Sequence, residues 1–433
     1  MKNSLACYLF LFIWISSFFA ANSKAQNADS LFNIQQITIN GLKRTHSYVI
    51  LRELPFSSGQ FVTQKQIEQG VQNLKNLHIF SAVQHHLNPL TTGYELIIDI
   101  GEKWTTIPVF TLFSGGETYH FITGAYDPNV FGRYIEMGVQ YENYNQTHSG
   151  WFWFYNPRYR NKRVRTGFDV LSLRRTRALY TTTGYREARY VRHQKQLSIF
   201  IDKEFTPSFL YGGSLQTSYF DIEDMSISKI ELSQIEPNIS PQTNSKTFAL
   251  SQYVRFGKLN YDIYLVKDWN LQFNFTRFQS QVNTNHGFNR FVAEAKYFSR
   301  VGQHINIGAR IRTGATSSDK LQDLFFIGGL SQLRGYFDGQ FRGKYYWHTN
   351  IETRITTIKH SWFVIQSILF FDSAQIAFSA SQLGADGELF SSYGFGFRLI
   401  SPKIYRFNGR IDFAHANSPS QSNAISFGAQ QFF

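Results

Sequence analysis

From residue 104 to the end of the chain, apolar and polar side chains alternate with a period of two, in segments of about ten residues. Ile305, Ile307, Ala309 and Ile311 alternate with Asn306, Gly308, Arg310 and Arg312, and Tyr393, Phe395, Phe397 and Leu399 with Gly394, Gly396 and Arg398. Successive side chains of a β-strand point to opposite faces, so each segment reads as a strand with one apolar and one polar face. The segments fall at 105–113, 118–127, 132–144, 149–158, 163–174, 195–205, 209–221, 246–266, 269–281, 288–300, 303–314, 342–356, 361–372, 392–400, 404–414 and 423–433. A water-soluble sandwich is a poor fit, because Trp and Phe recur on the apolar faces of more strands than one core can bury. After the first residues there is no apolar run of about eighteen, which excludes membrane-crossing helices. The expected fold is therefore mainly β: a 16-stranded antiparallel transmembrane β-barrel, lipid-facing outside and polar within, preceded by one small α+β domain.

The connections give an independent check. With the N-terminus on the periplasmic side, the long connections (174–194, 222–245, 315–341 and 373–391) all fall on the outer side and the short ones inside, which is the usual asymmetry of bacterial barrels. Aromatic residues make up 17% of the chain, enough for girdles at both membrane interfaces. Leu5 to Ala21 is almost unbroken apolar sequence after Lys2, and Ser23-Lys24-Ala25 puts small residues where a signal peptidase reads, so residues 1–25 are expected to be a signal peptide rather than a membrane helix. Cys7, the single cysteine, lies within it, so the processed chain can hold neither a disulfide nor a thiolate site. The formal charge of +13 would suit nucleic acid, but an exported protein does not routinely meet it, and no nucleic-acid partner is expected.

Residues 26–103 read as a separate β-α-α-β-β unit in the periplasm, and 104–433 as the barrel. Ile34, Ile37 and Ile39 mark a strand ending at the Asn40-Gly41 turn, and Thr45 to Leu54 a short helix stopped by Pro55. Thr63 and Gln66 form a capping box for a second helix with the apolar stripe Ile67, Val71, Leu74 and Leu77. Strands at Ala82–Leu87 and Tyr94–Ile100 complete it.

INGLKRTHSYVILRELPFSSGQFVTQKQIEQGVQNLKNLHIFSAV resembles a POTRA domain, including the Gly after strand one, the Arg-Glu-Leu that ends helix one and the Phe-Ser-x-Val that leads into a strand. Leu333-Arg334-Gly335-Tyr336, after Phe326-Ile327-Gly328-Gly329, resembles the sixth-loop motif of the BamA-like superfamily of outer-membrane assembly factors and two-partner secretion transporters. The resemblance covers both regions. It implies that the loop folds back into the barrel and that Arg334 meets acidic residues of the following strands. Parity then offers Glu352 and Asp372: with Trp347, Ile351 and Ile355 in lipid, Asn350, Glu352 and Arg354 face the lumen, and with Leu369 and Phe371 in lipid, Asp372 does. A guanidinium in a partly desolvated lumen needs such planar partners, and Gly335 would allow the turn that presents it. Tyr126-Asp127-Pro128-Asn129-Val130-Phe131-Gly132 resembles the family's turn after its second strand, Gly394-Phe395-Gly396-Phe397-Arg398 its Gly-rich strand, and Phe433 the terminal aromatic of many outer-membrane barrels.

The resemblance implies insertion or transport of proteins, or of lipid-linked cargo, at the outer membrane without ATP. Extended client polypeptides would be received by the POTRA edge and by a weak seam between Thr105–Phe113, which contains Pro108, and Ala424–Phe433. Periplasmic chaperones and lipoproteins are the other candidate partners. The alternatives are a dedicated secretion pore for one substrate, a passive surface antigen and, more remotely, a surface enzyme. No G-x-S-x-G elbow, H-E-x-x-H or phosphate loop is present, so no catalytic residue, cofactor or metal is expected, and His85 and His86 would point to opposite faces of a strand.

Overall fold

The computed structural model describes residues 31–115, 118–144, 147–181, 186–224, 244–281, 287–329, 332–385, 387–417, 423–429 and 433. The expected signal peptide, with Cys7, lies outside them. The N-terminal domain comprises β1 (Leu31–Asn40), α1 (Ser47–Leu51), β2 (Gln60–Thr63), α2 (Gln64–Lys75), β3 (Phe80–Leu90) and β4 (Gly93–Glu102). Its sheet order is β2-β1-β4-β3, with β1 and β4 parallel. The expected β-α-α-β-β unit thus gains a strand: β2 is a four-residue edge with Phe61 exposed, too short and too solvated to show a period. At the start of α2 the Thr63 hydroxyl accepts from the Gln66 amide, and the Gln66 side chain accepts from the Thr63 amide. Ile67, Val71 and Leu74 of α2, followed by Leu77, are buried with Ile34, Leu96, Ile98 and Ile100 in one core.

The barrel strands are β5 (Ile107–Gly115), β6 (Thr118–Asp127), β7 (Glu136–Tyr144), β8 (Thr147–Asn156), β9 (Val164–Tyr180), β10 (Arg186–Thr206), β11 (Phe209–Asp224) and β12 (Asn244–Gly257). After the short β13 (Asn260–Asp262) come β14 (Leu265–Ser280), β15 (Gly287–Val301) and β16 (Ile305–Thr316). A loop hairpin of β17 (Phe325–Ile327) and β18 (Phe341–Gly343) precedes β19 (Tyr345–Lys359), β20 (Val364–Ala377), β21 (Phe390–Ile400), β22 (Asn408–Ala416) and β23 (Asn423–Ala429). The long strands β5–β12, β14–β16 and β19–β23 close into a barrel in which β23 neighbours β5.

Three expected boundaries are corrected. The segment 246–266 breaks at Gly257, and β13 pairs with the start of β14 as a small hairpin. The connection 174–194 is largely strand, because β9 and β10 stay paired up to Arg186↔Tyr180. The segment 423–433 is strand only to Ala429 among the described residues.

Candidate functional site

The loop between β16 and β19 turns back into the barrel. Its β17–β18 hairpin and an isolated bridge between Gly329 and Leu333 hold the hairpin tip. Leu333 and Tyr336 are buried with Ile327, Phe341, Tyr346, Phe390 and Ala416. The Tyr336 hydroxyl donates to the Ser391 carbonyl on β21 (2.8 Å). Gly335 has φ +90°, and a Cβ there would lie 3.2 Å from that of Ala416, so the turn favours glycine by both backbone and space.

Between these anchors Arg334 is 1% exposed. Its Nε and Nη2 donate to the two oxygens of Asp372 (2.7 Å each), its backbone amide adds a third bond to Asp372 (3.2 Å), and Nη1 donates to Glu352 Oε1 (2.7 Å). The guanidinium lies 3.6 Å above the Phe370 ring. The two carboxylates that parity placed in the lumen, from β19 and β20, therefore converge on the loop arginine.

The network is wider than the sequence reading. The second Glu352 oxygen accepts from Arg354 (2.8 Å), and Arg398 on β21 joins Glu352 (3.4 Å) to Asp412 on β22 (2.7 Å). Asn350 donates to Asp372 and to the Gln332 carbonyl (2.8 Å each) and accepts from Arg310. Every one of these charges except Arg310 is at most 1% exposed. Each of the other six has an opposite charge beside it, as burial demands. Alternation with Ile411 and Phe413 would have put Asp412 inside as well. Nothing in the sequence signals its meeting with Arg398, which depends on Gly396: a Cβ there would fall 2.4 Å from Asp412 Oδ1.

Phe433 does not end a lipid-facing strand. Its ring lies in the lumen, 5.1 Å from the guanidinium of Arg310, 5.2 Å from that of Arg354 and 5.7 Å from the Phe298 ring, while its carbonyl accepts from Arg354 (3.1 Å). Two guanidiniums over one ring stabilise this position through its π face.

The opposite mouth is covered by the N-terminal domain. The turn after β6, which resembled a family motif, is the docking element. Asp127 accepts from Thr106 (2.6 Å) and from the Asn129 amide (2.7 Å), and pairs with Arg44 (2.6 Å). Asn129 donates to Thr45 (2.9 Å) and accepts from the Tyr134 amide (2.8 Å), and the Gly132 carbonyl accepts from the His46 amide (3.0 Å). Gly132 has φ +68°, and a Cβ there would strike the Arg44 carbonyl. After β8, Arg158 grips Glu53 through Nε and Nη2 (2.6 and 2.9 Å). After β12, Asn260 and Asp262 bond Asn76 and Lys75. Between β21 and β22, Lys403 and Tyr405 pair with the backbone of Trp104.

A closed barrel with an outer loop pinned in its lumen by an arginine, and a POTRA-type domain seated under its inner mouth, defines a class of bacterial outer-membrane barrel. Residues 129–433 match the Omp85 superfamily domain and residues 32–103 the POTRA family described as a surface antigen variable number repeat. The chain belongs to the Omp85 superfamily, whose members serve outer-membrane protein assembly and secretion. Similar solved folds include BamA from Haemophilus ducreyi lacking POTRA domains 1–3, at 14% identity over 93% of this chain and 84% of that one, with TM-score 0.55. CdiB from Escherichia coli has 12% identity over 92% and 75%, with TM-score 0.62, and CdiB from Acinetobacter baumannii 15% over 92% and 73%, with TM-score 0.53. At these identities the likeness is one of fold. No curated protein sequence matches the chain significantly. The family and its POTRA domain indicate the outer membrane, with the POTRA domain in the periplasm.

Proposed function

We propose that this protein receives extended polypeptides in the periplasm and inserts them into, or passes them across, the outer membrane without ATP or any enzymatic step. The observation that carries the reading is the seating of the POTRA sheet at the periplasmic mouth, beside the closing strands β23 and β5. The POTRA sheet ends in the edge strands β2 and β3, either of which offers backbone groups to an added strand. Pro108, opposite Ala125 of β6, deletes one backbone donor from β5, the first strand of the seam. Trp104, just before β5, pairs with the turn that leads into β22, so the seam is bracketed at its periplasmic end while its strands remain free to part higher up.

In this reading Leu333, Arg334, Gly335 and Tyr336 seat the loop on Glu352 and Asp372, which keeps the lumen organised while the seam moves. Depletion followed by comparison of outer-membrane and surface proteomes tests it. A broad fall in barrel proteins marks an assembly factor, and loss of one exported protein a dedicated secretion pore. An unchanged proteome would reject the proposal and leave a passive surface antigen.

A further inference from the structure

One sector of the outer wall gathers two exposed lysines just above its apolar band. On β10 the outward positions Leu197, Ile199 and Ile201 are exposed and apolar, and so are Leu215 on β11, Phe248 and Leu250 on β12, and Phe168 and Val170 on β9. Below this band lie Phe205, Tyr211 and Phe256, an aromatic border at the periplasmic side. Above it, in the same outward register, Lys195 stands opposite Tyr219, and Tyr219 opposite Lys246. Both lysines are exposed, as are the apolar residues two positions away on their own strands. In the next row His193 stands between Arg174 and Asp221, and its ring meets Tyr219 edge-on at 6.5 Å.

The height of this cluster follows from strand geometry. Lys195 is ten positions from Phe205 on β10. At about 3.3 Å per residue and a tilt of about 40°, that is about 25 Å, the thickness of a barrel's apolar band. Lys195 and Lys246 therefore sit at the headgroup level of the outer leaflet, about 10 Å apart across Tyr219. Lysines here keep their stems along the apolar wall and raise their ammonium groups to the interface. On the far side of the barrel the outward residues towards the outer ends of β16, β19, β20 and β21, namely Thr313, Trp347, Gln375 and Tyr393, are all uncharged.

We propose that the face built from Lys195, Tyr219 and Lys246, with Arg174 and His193 above them, docks the phosphate group of an anionic lipid in the outer leaflet. Lys195 and Lys246 repel each other across Tyr219, and Asp221 is the carboxylate among the described residues of these two rows, so the lysine row keeps positive charge for an anion. The site opens onto the acyl-chain band of the same wall, which favours a phosphate attached to hydrocarbon over a soluble one. A bound lipid would fix one side of the barrel in the membrane while the β23–β5 side, where Phe110, Ile425 and Phe427 are exposed, stays free to move. The inference depends on the orientation of the barrel in its membrane and is independent of the cargo.

The purified full chain, placed in phosphatidylcholine nanodiscs doped with phosphatidic acid, should retain phosphatidic acid preferentially when the particles are released for native mass spectrometry. Lys195→Gln with Lys246→Gln should weaken that retention roughly twenty-fivefold, because each cation at an anionic lipid surface is worth about fivefold. Each single change should show about a fivefold loss, and Lys65→Gln on the POTRA domain should show none. Should the double variant fail to give the fast-migrating folded band on an unheated gel, the single variants and the wild-type preference carry the test. Absence of a wild-type preference, or an equal loss in Lys65→Gln, would overturn the proposal. Displacement of the lipid by inorganic phosphate would overturn it in favour of a soluble anion.

Discussion

At each end of the barrel an arginine grips a carboxylate through two parallel hydrogen bonds, and the surroundings of the two grips differ. Arg334 is held by Asp372 and Glu352, on adjacent strands of the wall, with Arg354, Arg398 and Asp412 completing a buried lattice. Arg158 meets Glu53 between a turn and the end of a short helix, is 13% exposed, and has Glu204 as a second acid at 3.9 Å. The neighbouring contacts at the inner end mix partly exposed ion pairs, Arg44 with Asp127 and Lys75 with Asp262, with neutral bonds, Asn129 with Thr45 and Asn260 with Asn76. The outer loop has thus become part of the wall, because its charges have no cheaper place to go. The POTRA domain is held by separate bonds that can be lost one at a time. The proposed opening of the seam would draw on both arrangements.

If that contrast is right, Arg334→Ala should have the largest effect. It leaves Asp372 and Glu352 buried without their common partner, at a cost of about 3–5 kcal/mol. Loss of the folded band at lower urea, together with protease cleavage within 317–344, would show it. Arg334→Lys should recover part of the loss, since an ammonium restores the charge without the paired geometry. A barrel that is as stable with Arg334→Ala as without it would break the comparison at its stronger end.

Glu53→Ala should cost less, about 1–3 kcal/mol, because Arg158 retains Glu204 and partial solvent. The loss should be local: faster hydrogen exchange in turns 128–135 and 157–163 and in α1, with the urea midpoint of the barrel unmoved. Asn129→Ala removes two hydrogen bonds and should cost about 1–2 kcal/mol by the same readout. If either change destabilised the whole barrel as much as Arg334→Ala does, the inner contacts would belong to the wall too.

Alternation was legible because lipid and lumen impose it residue by residue, and parity placed Glu352 and Asp372 inside. The outer limits of β9 and β10 were not legible: from Arg175 on, the pairing continues beyond the lipid-facing band, and its apolar residues Leu179, Ala188 and Tyr190 pack on Leu321 and Leu324, far away in sequence. Asp127-Pro128-Asn129 announced a turn, but the partner of Asn129, Thr45, is 84 residues away. Distance in the folded chain is also what hid Asp412, which needs β21 and β22 side by side and the space left by Gly396. For Phe433 the sequence names no face, because an aromatic at the end of a strand suits lipid and lumen equally well. Only the positions of Arg310 and Arg354 show that the lumen offers its ring more.

The smallest effect should be a dependence on pH confined to the inner end. His78, just after α2, meets the Tyr261 ring at 4.3 Å in the docked state. Burial, with Arg406 and Lys103 nearby, pushes its imidazole down from the ordinary 6.5 to about 3. Between those values the undocked domain takes up a proton that the docked domain refuses, so docking is fully stable above about pH 6.5 and weakens as pH falls. Hydrogen exchange at the POTRA–barrel turns should therefore quicken from pH 7 to pH 5, while the Arg334 loop, whose ion pairs lack a histidine, stays protected. His78→Asn removes the titration and suits the left-handed backbone at this position, where φ is +63°. The variant should dock with a flatter pH profile. A profile as steep as that of the wild type would mean that other groups govern the inner end, and the two ends would then differ in architecture without differing in their response to acid.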